Sequence, residues 1–208
     1  MGHRKIIFLI ISILVVVGIL VFIYEYKDLK NIKKCESIND EQEKNDCLVD
    51  YAVSKGDIDA CDDFEENLQG TCKRNILIEE ENLSGCEELK NSYMLDSQIC
   101  IDGIARKQNN LDICSQIEIP AIKDTCIKKI ALNTNNIEAC KQIENELRKD
   151  FCYITFAQQM KDIKVCENVT ADEQLKLCYK EYELILGETP NCESLDGKYR
   201  QTCEEAVK

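Results

Sequence analysis

The sequence predicts an all-α protein: an N-terminal transmembrane helix followed by an α-solenoid of seven disulfide-linked helical hairpins. Three observations predict it. A block of fourteen residues bounded by cysteines recurs six times: Cys47 to Cys61, Cys72 to Cys86, Cys100 to Cys114, Cys126 to Cys140, Cys152 to Cys166 and Cys178 to Cys192. The intervals around these blocks vary, at 12, 11, 14, 12, 12, 12 and 11 residues. A rigid block alternating with an elastic one marks a repeat protein. Within the block, apolar residues fall at helical spacing. Ahead of the first cysteine stands a run of 19 residues without a charge, Ile6 to Tyr24.

The elements follow in order. Residues 1–5 form a short basic tail, read as cytoplasmic because Arg4 and Lys5 flank the apolar run. Residues 6–24 would make a helix of roughly 28 Å, enough to cross a hydrocarbon core. A cleaved signal peptide would have a shorter apolar region and small residues before the cut. This run ends instead in Val21-Phe22-Ile23-Tyr24. It is therefore read as an uncleaved anchor. Residues 25–208 would then be an extracytoplasmic region of cysteine-rich helical repeats.

Inside the block, the position four after the first cysteine holds Tyr51, Ile76, Ile104, Ile130, Phe156 and Tyr182. The next position holds Ala52, Leu77, Ala105, Ala131 and Ala157, with Glu183 breaking the column. Cysteine with apolar residues at i+4 and i+5 makes one helical face. Nine and ten residues on come Gly56-Asp57, Glu81-Asn82, Asn109-Asn110, Asn135-Asn136, Lys161-Asp162 and Gly187-Glu188. Gly, Asn and Asp accept left-handed backbone or cap a following helix. Then come Ile58, Leu83, Leu111, Ile137 and Ile163, and three residues past the closing cysteine Phe64, Leu89, Ile117, Ile143, Val169 and Leu195. The block thus reads as a long helix, a tight turn and the shorter first helix of the next hairpin. The elastic interval, which holds Pro120, Gly70 and Gly197, reads as a loop. Pro190 reads as the first position of a helix capped by Thr189.

Composition narrows the function. Of 26 Lys and Arg, Arg4 and Lys5 precede the apolar run, leaving 24 against 39 Asp and Glu and a net charge of −15 beyond it. Nucleic-acid binding is disfavoured, since phosphate contacts need clustered cations. The acidic clusters do not follow a calcium-loop pattern. The nearest cysteines are 11 residues apart, so zinc, iron–sulfur, thiol-redox and haem motifs built on C-x2-C are missing. The only histidine, His3, lies in the N-terminal tail. No catalytic residue, metal site or cofactor is therefore expected. Asn82-Leu83-Ser84 and Asn168-Val169-Thr170 match the N-glycosylation sequon.

Fourteen cysteines, an even number, all follow the apolar run, as expected of paired cysteines in an oxidising compartment. With their rhythm the hairpins resemble disulfide-stapled α/α-repeat proteins of Sel1-like style. There, one disulfide clips each helix pair of a solenoid. The unit Lys123-Asp124-Thr125-Cys126, repeated as Lys149-Asp150-Phe151-Cys152, is similar to that of uncharacterised cysteine-rich helical-repeat membrane proteins of archaeal type. That resemblance implies a surface-anchored helical array and carries over no functional residue.

Two regular pairing schemes exist. Pairing across the fixed turn, as Cys47 with Cys61, leaves an axial offset of about 6 Å between antiparallel helices before any sideways separation. That passes the reach of a disulfide. Pairing across the elastic interval brings both cysteines level and uses all fourteen. The expected bridges are Cys35–Cys47, Cys61–Cys72, Cys86–Cys100, Cys114–Cys126, Cys140–Cys152, Cys166–Cys178 and Cys192–Cys203.

The function read from these features is a membrane-anchored scaffold that binds a protein or peptide partner without catalysis. A structural envelope spacer is the alternative, and a redox or enzymatic surface protein a third. The candidate partner face is aromatic: Phe151, Tyr153, Phe156, Tyr179 and Tyr182, at stacked positions of two successive repeats. The alternative, which the spacing favours, is that these rings pack one hairpin on the next; an exposed patch would mark binding.

Overall fold

The computed structural model describes residues 33–207. The basic tail, the apolar run at residues 6–24 and the link as far as residue 32 lie outside the described residues. No helix among those described is long and apolar enough to cross a membrane. The described chain is helix and turn, with no strand, and its contacts divide it into two units, one ending at Glu80 and one starting at Glu81.

Seven long helices recur. They are α1 (Glu41–Lys55), α2 (Glu66–Glu79), α3 (Met94–Gln108), α4 (Pro120–Asn133), α5 (Glu146–Met160), α6 (Asp172–Leu186) and α7 (Gly197–Ala206). Each begins six residues before its cysteine. The elastic interval is therefore not all loop: its second half is the first turn and a half of the long helix. Three expectations change accordingly. Gly70 lies inside α2, and Pro120 and Gly197 are the first residues of α4 and α7. Pro120 costs nothing there, because the first helical N–H has no intrahelical partner. Pro190 opens no helix. The turn after it starts at Cys192 behind Asn191.

The shorter partner helices are mostly single turns. Asp59–Asp63, Ile137–Gln142, Ile163–Asn168 and Cys192–Ser194 are 3-10 turns; Leu83–Glu88 and Leu111–Cys114 are brief α-helices. A segment of this length cannot form by itself. Its cysteine holds it in place. Seven bridges join Cys35–Cys47, Cys61–Cys72, Cys86–Cys100, Cys114–Cys126, Cys140–Cys152, Cys166–Cys178 and Cys192–Cys203. Their Cα separations run from 5.5 to 6.0 Å, within the span of the bond. Closing a loop of this size is worth about 3 kcal/mol in the chain-entropy account.

The block has constant length because its turn has one backbone solution. The ninth residue after the first cysteine is left-handed in all six blocks: Gly56 (φ 64°), Glu81 (54°), Asn109 (50°), Asn135 (55°), Lys161 (52°) and Gly187 (66°). In three of them the next N–H returns to the helix: Asn110 to Ala105 O at 2.9 Å, Asn136 to Ala131 O at 2.8 Å, Asp162 to Ala157 O at 3.1 Å. This is the Schellman ending, which satisfies carbonyls the helix leaves open. In several blocks the following side chain caps the short segment, whereas Asn136 makes no such bond. Asn82 accepts from Gly85 N at 3.0 Å, Asn110 from Asp112 N at 3.0 Å and Asp162 from Lys164 N at 3.0 Å.

In the first unit α1 packs on α2 over a core of Val49, Ala52, Cys61, Cys72 and Ile76, edged by Val53 and Phe64. In the second unit α3 packs on α4, α4 on α5, α5 on α6 and α6 on α7. The columns read from the sequence form its interior: Ile104, Ile130 and Phe156 at one level, Ala105, Ala131 and Ala157 at the next, Ile117, Ile143, Val169 and Leu195 opposite. Each large member contributes about 1.5–3 kcal/mol by burial. The alanines let neighbouring backbones approach.

A polar ladder runs through the second unit. The residue two before the helix cysteine is buried in α3, α4 and α5: Gln98, Asp124 and Asp150. Each accepts from two backbone N–H groups where the next long helix begins. Gln98 takes Glu118 N (2.5 Å) and Ile119 N (3.4 Å); Asp124 takes Glu144 N (3.0 Å) and Asn145 N (3.3 Å); Asp150 takes Thr170 N (2.9 Å) and Ala171 N (3.1 Å). These acceptors satisfy donors at a helix N-terminus, where a carboxylate also meets the positive end of the dipole. They fix the start of one helix from the body of the one before.

Two outcomes follow. Asp150→Ala should cost about 1–3 kcal/mol, the range for removing one partner of a buried hydrogen-bonded group. Hydrogen exchange should show faster amides at Thr170 and Ala171, with Glu144 and Asn145 unchanged. Equal protection throughout would contradict the ladder. Lys161→Gly should raise stability by about 0.5–1 kcal/mol, since a side chain in left-handed backbone is strained, less the entropy glycine adds to the unfolded chain. Lys161→Val should lower it. Thermal unfolding without reductant checks both.

Candidate functional site

The candidate aromatic face does not exist as a surface. Tyr153, Phe156, Tyr179 and Tyr182 are buried, and of the five only Phe151 is exposed. The reason is helical geometry: positions one and four after a cysteine share its inward face, whereas the position before it turns outward. Tyr182 has a structural role, its hydroxyl donating at 3.0 Å to Lys161 O in the preceding block turn. Burial pushes the Tyr179 phenol up, with Glu167 and Tyr199 adding to the effect. These rings pack one hairpin on the next.

The two sequon asparagines are exposed. Asn82 caps its short helix, and the Ser84 hydroxyl donates to the same Oδ1 at 3.0 Å. Asn168 donates from Nδ2 to Val165 O at 3.1 Å, and the Thr170 hydroxyl bonds Asp150. All fourteen cysteines are bridged, so none carries a thiol in this state. Among the described residues no three His, Cys, Asp or Glu side chains group as metal ligands.

What the second unit does present is a cavity of about 350 Å³ lined by Asp124, Thr125, Lys128, Lys129, Arg148 and Phe151. On α4, positions i, i+1, i+4 and i+5 bring Asp124, Thr125, Lys128 and Lys129 to one side. On α5, positions i and i+3 supply Arg148 and Phe151. Phe151 is 39% exposed, and Leu147, one turn earlier, is 50% exposed. Leu95, at the equivalent place in α3, is 58% exposed. Exposed apolar side chains on α5 therefore stand beside a cluster of cations.

The charges at this cavity are unevenly matched. Asp124 is wholly buried and committed to the ladder and to Arg148, whose Nη1 lies 3.4 Å away. Lys128 is partly buried, and burial pulls its amine down from its ordinary value. Asp102 on α3 is paired with Arg106 at 2.9 Å; burial pushes its carboxyl up, against the charges of Arg106 and Lys129. Among the described residues Lys128 and Lys129 make no ion pair.

Two further cavities lie elsewhere. One, of about 510 Å³, lies among block-turn residues such as Asn109, Asn110 and Asn136; the other, of about 280 Å³ in the first unit, is lined by Leu48, Tyr51 and Phe64 with Glu36 and Asp63. Neither gathers cations. The position before the helix cysteine reads Ile99, Thr125, Phe151 and Leu177 in α3 to α6, a column that marks Phe151 as outward, but nothing in the sequence singles out the two lysines beside it. No family model, curated protein or solved structure matches this chain.

Proposed function

We propose that this chain is a membrane-anchored, extracytoplasmic helical-repeat scaffold that binds a protein or peptide partner. The anchor reading rests on the charge-free run at residues 6–24 and on the cysteines that follow it. Repeat arrays use extended surfaces of this kind for recognition. The observation that supports binding is the cavity on α4 and α5, where an exposed ring meets two lysines without an ion pair on a chain of net charge −13. Aromatic anchors beside a few placed polar groups are the composition of recognition sites.

The test is site-specific photo-crosslinking in the native cell. A photoreactive residue at Leu147, beside the cavity, should yield a discrete protein adduct; at Lys164, on a short 3-10 turn, it should not. No adduct at Leu147, or equal adducts at both positions, would overturn the reading.

A further inference from the structure

We infer that the cavity on α4 and α5 takes an acidic peptide segment: an Asp or Glu carboxylate against Lys128 and Lys129, with an adjacent apolar side chain on Phe151. The inference rests on the binding reading above and names the chemistry of the partner.

Glu144 is tied to Lys123 at 2.7 Å, Glu146 to Lys149 at 2.8 Å, and Asp102 to Arg106 at 2.9 Å. Asp124 is spent on backbone N–H groups and on Arg148. These carboxylates are each engaged, although Asp102 keeps one buried oxygen without a hydrogen-bond partner and feels the charge of Lys129. Among the described residues Lys128 and Lys129 themselves form no ion pair. A half-buried ammonium has lost part of its hydration, and an incoming carboxylate restores a partner for it. Beside these cations the Phe151 ring offers a hydrophobic surface, continued by Leu147. A volume of about 350 Å³ has room for one or two side chains.

Charge on the larger scale selects among anions. Nucleic acids and anionic membranes bind through broad cationic surfaces. This chain carries 39 Asp and Glu against 26 Lys and Arg and repels them. A local pair of lysines beside an aromatic ring fits a single carboxylate on a partner of mixed composition.

The experiment uses the full 208-residue chain, immobilised in detergent micelles with its bridges intact, and a phage-displayed random 12-residue peptide library as probe. The inference expects enriched peptides with excess Asp and Glu next to apolar residues. Their affinity should fall at least tenfold in the double variant K128Q/K129Q, recover in K128R/K129R, and weaken as salt rises. Arg148 is left intact because it also serves the ladder, and thermal unfolding checks that both double variants stay folded. Enriched peptides without acidic excess, lost on Phe151→Ala but indifferent to K128Q/K129Q, would overturn the charge inference while leaving a binding surface. No enrichment at all would overturn both.

Discussion

A bond between two cysteines at fixed places governs this fold. One stands in the second turn of a long helix, always six residues from its start. The other stands in a segment too short to be a stable helix by itself. Hydrogen bonding within one turn cannot repay its ordering. The bridge supplies what is lacking and sets the short segment against the long one at a Cα separation near 5.5–6.0 Å. The interval between the two cysteines can then lengthen from 11 to 14 residues without consequence, because its closure does not depend on its own conformation.

Register between hairpins comes from two other devices. The left-handed residue, joined in several blocks by an Asx cap, ends one long helix and starts the next short segment within a fixed count. That is why the block never varies. The ladder of Gln98, Asp124 and Asp150 then fixes the start of the following helix from the body of the one before. Burying a carboxylate is costly unless it is hydrogen-bonded. Here two N–H groups receive each one, with the Thr170 hydroxyl or the Arg148 guanidinium added. The ladder stops at α6, where the equivalent residue is Lys176.

Much of this was legible in the sequence for a physical reason. A periodic chain repeats its constraints, so one exception cannot hide a column. The inward columns at Ile104, Ile130 and Phe156 and the turn residues at Gly56, Asn109 and Gly187 could be read from spacing and residue type. The short segments were harder: apolar, cysteine, apolar at i, i+3, i+6 suits a 3-10 turn as well as an α-helix. The ladder was visible as a recurring Lys-Asp-x-Cys unit, yet its partners lie some twenty residues away and carry no side-chain signature. Stacked aromatics at equivalent repeat positions suit packing between hairpins or an exposed patch, and burial decides for packing. Residues one and four beyond a buried cysteine are drawn inward with it, and only Phe151, one before, escapes. The cation site depended on which lysines lack acidic partners, and that is set by packing and not by composition.

The central claim is that each interval is closed by its own bridge. Non-reducing peptide mapping of the native protein tests it most directly. The account predicts linked peptides joining Cys35 to Cys47, Cys61 to Cys72, Cys86 to Cys100, and so on in chain order, with no titratable thiol. Peptides joining Cys47 to Cys61 or Cys126 to Cys140 across the fixed turn, or a majority of free thiols, would contradict it.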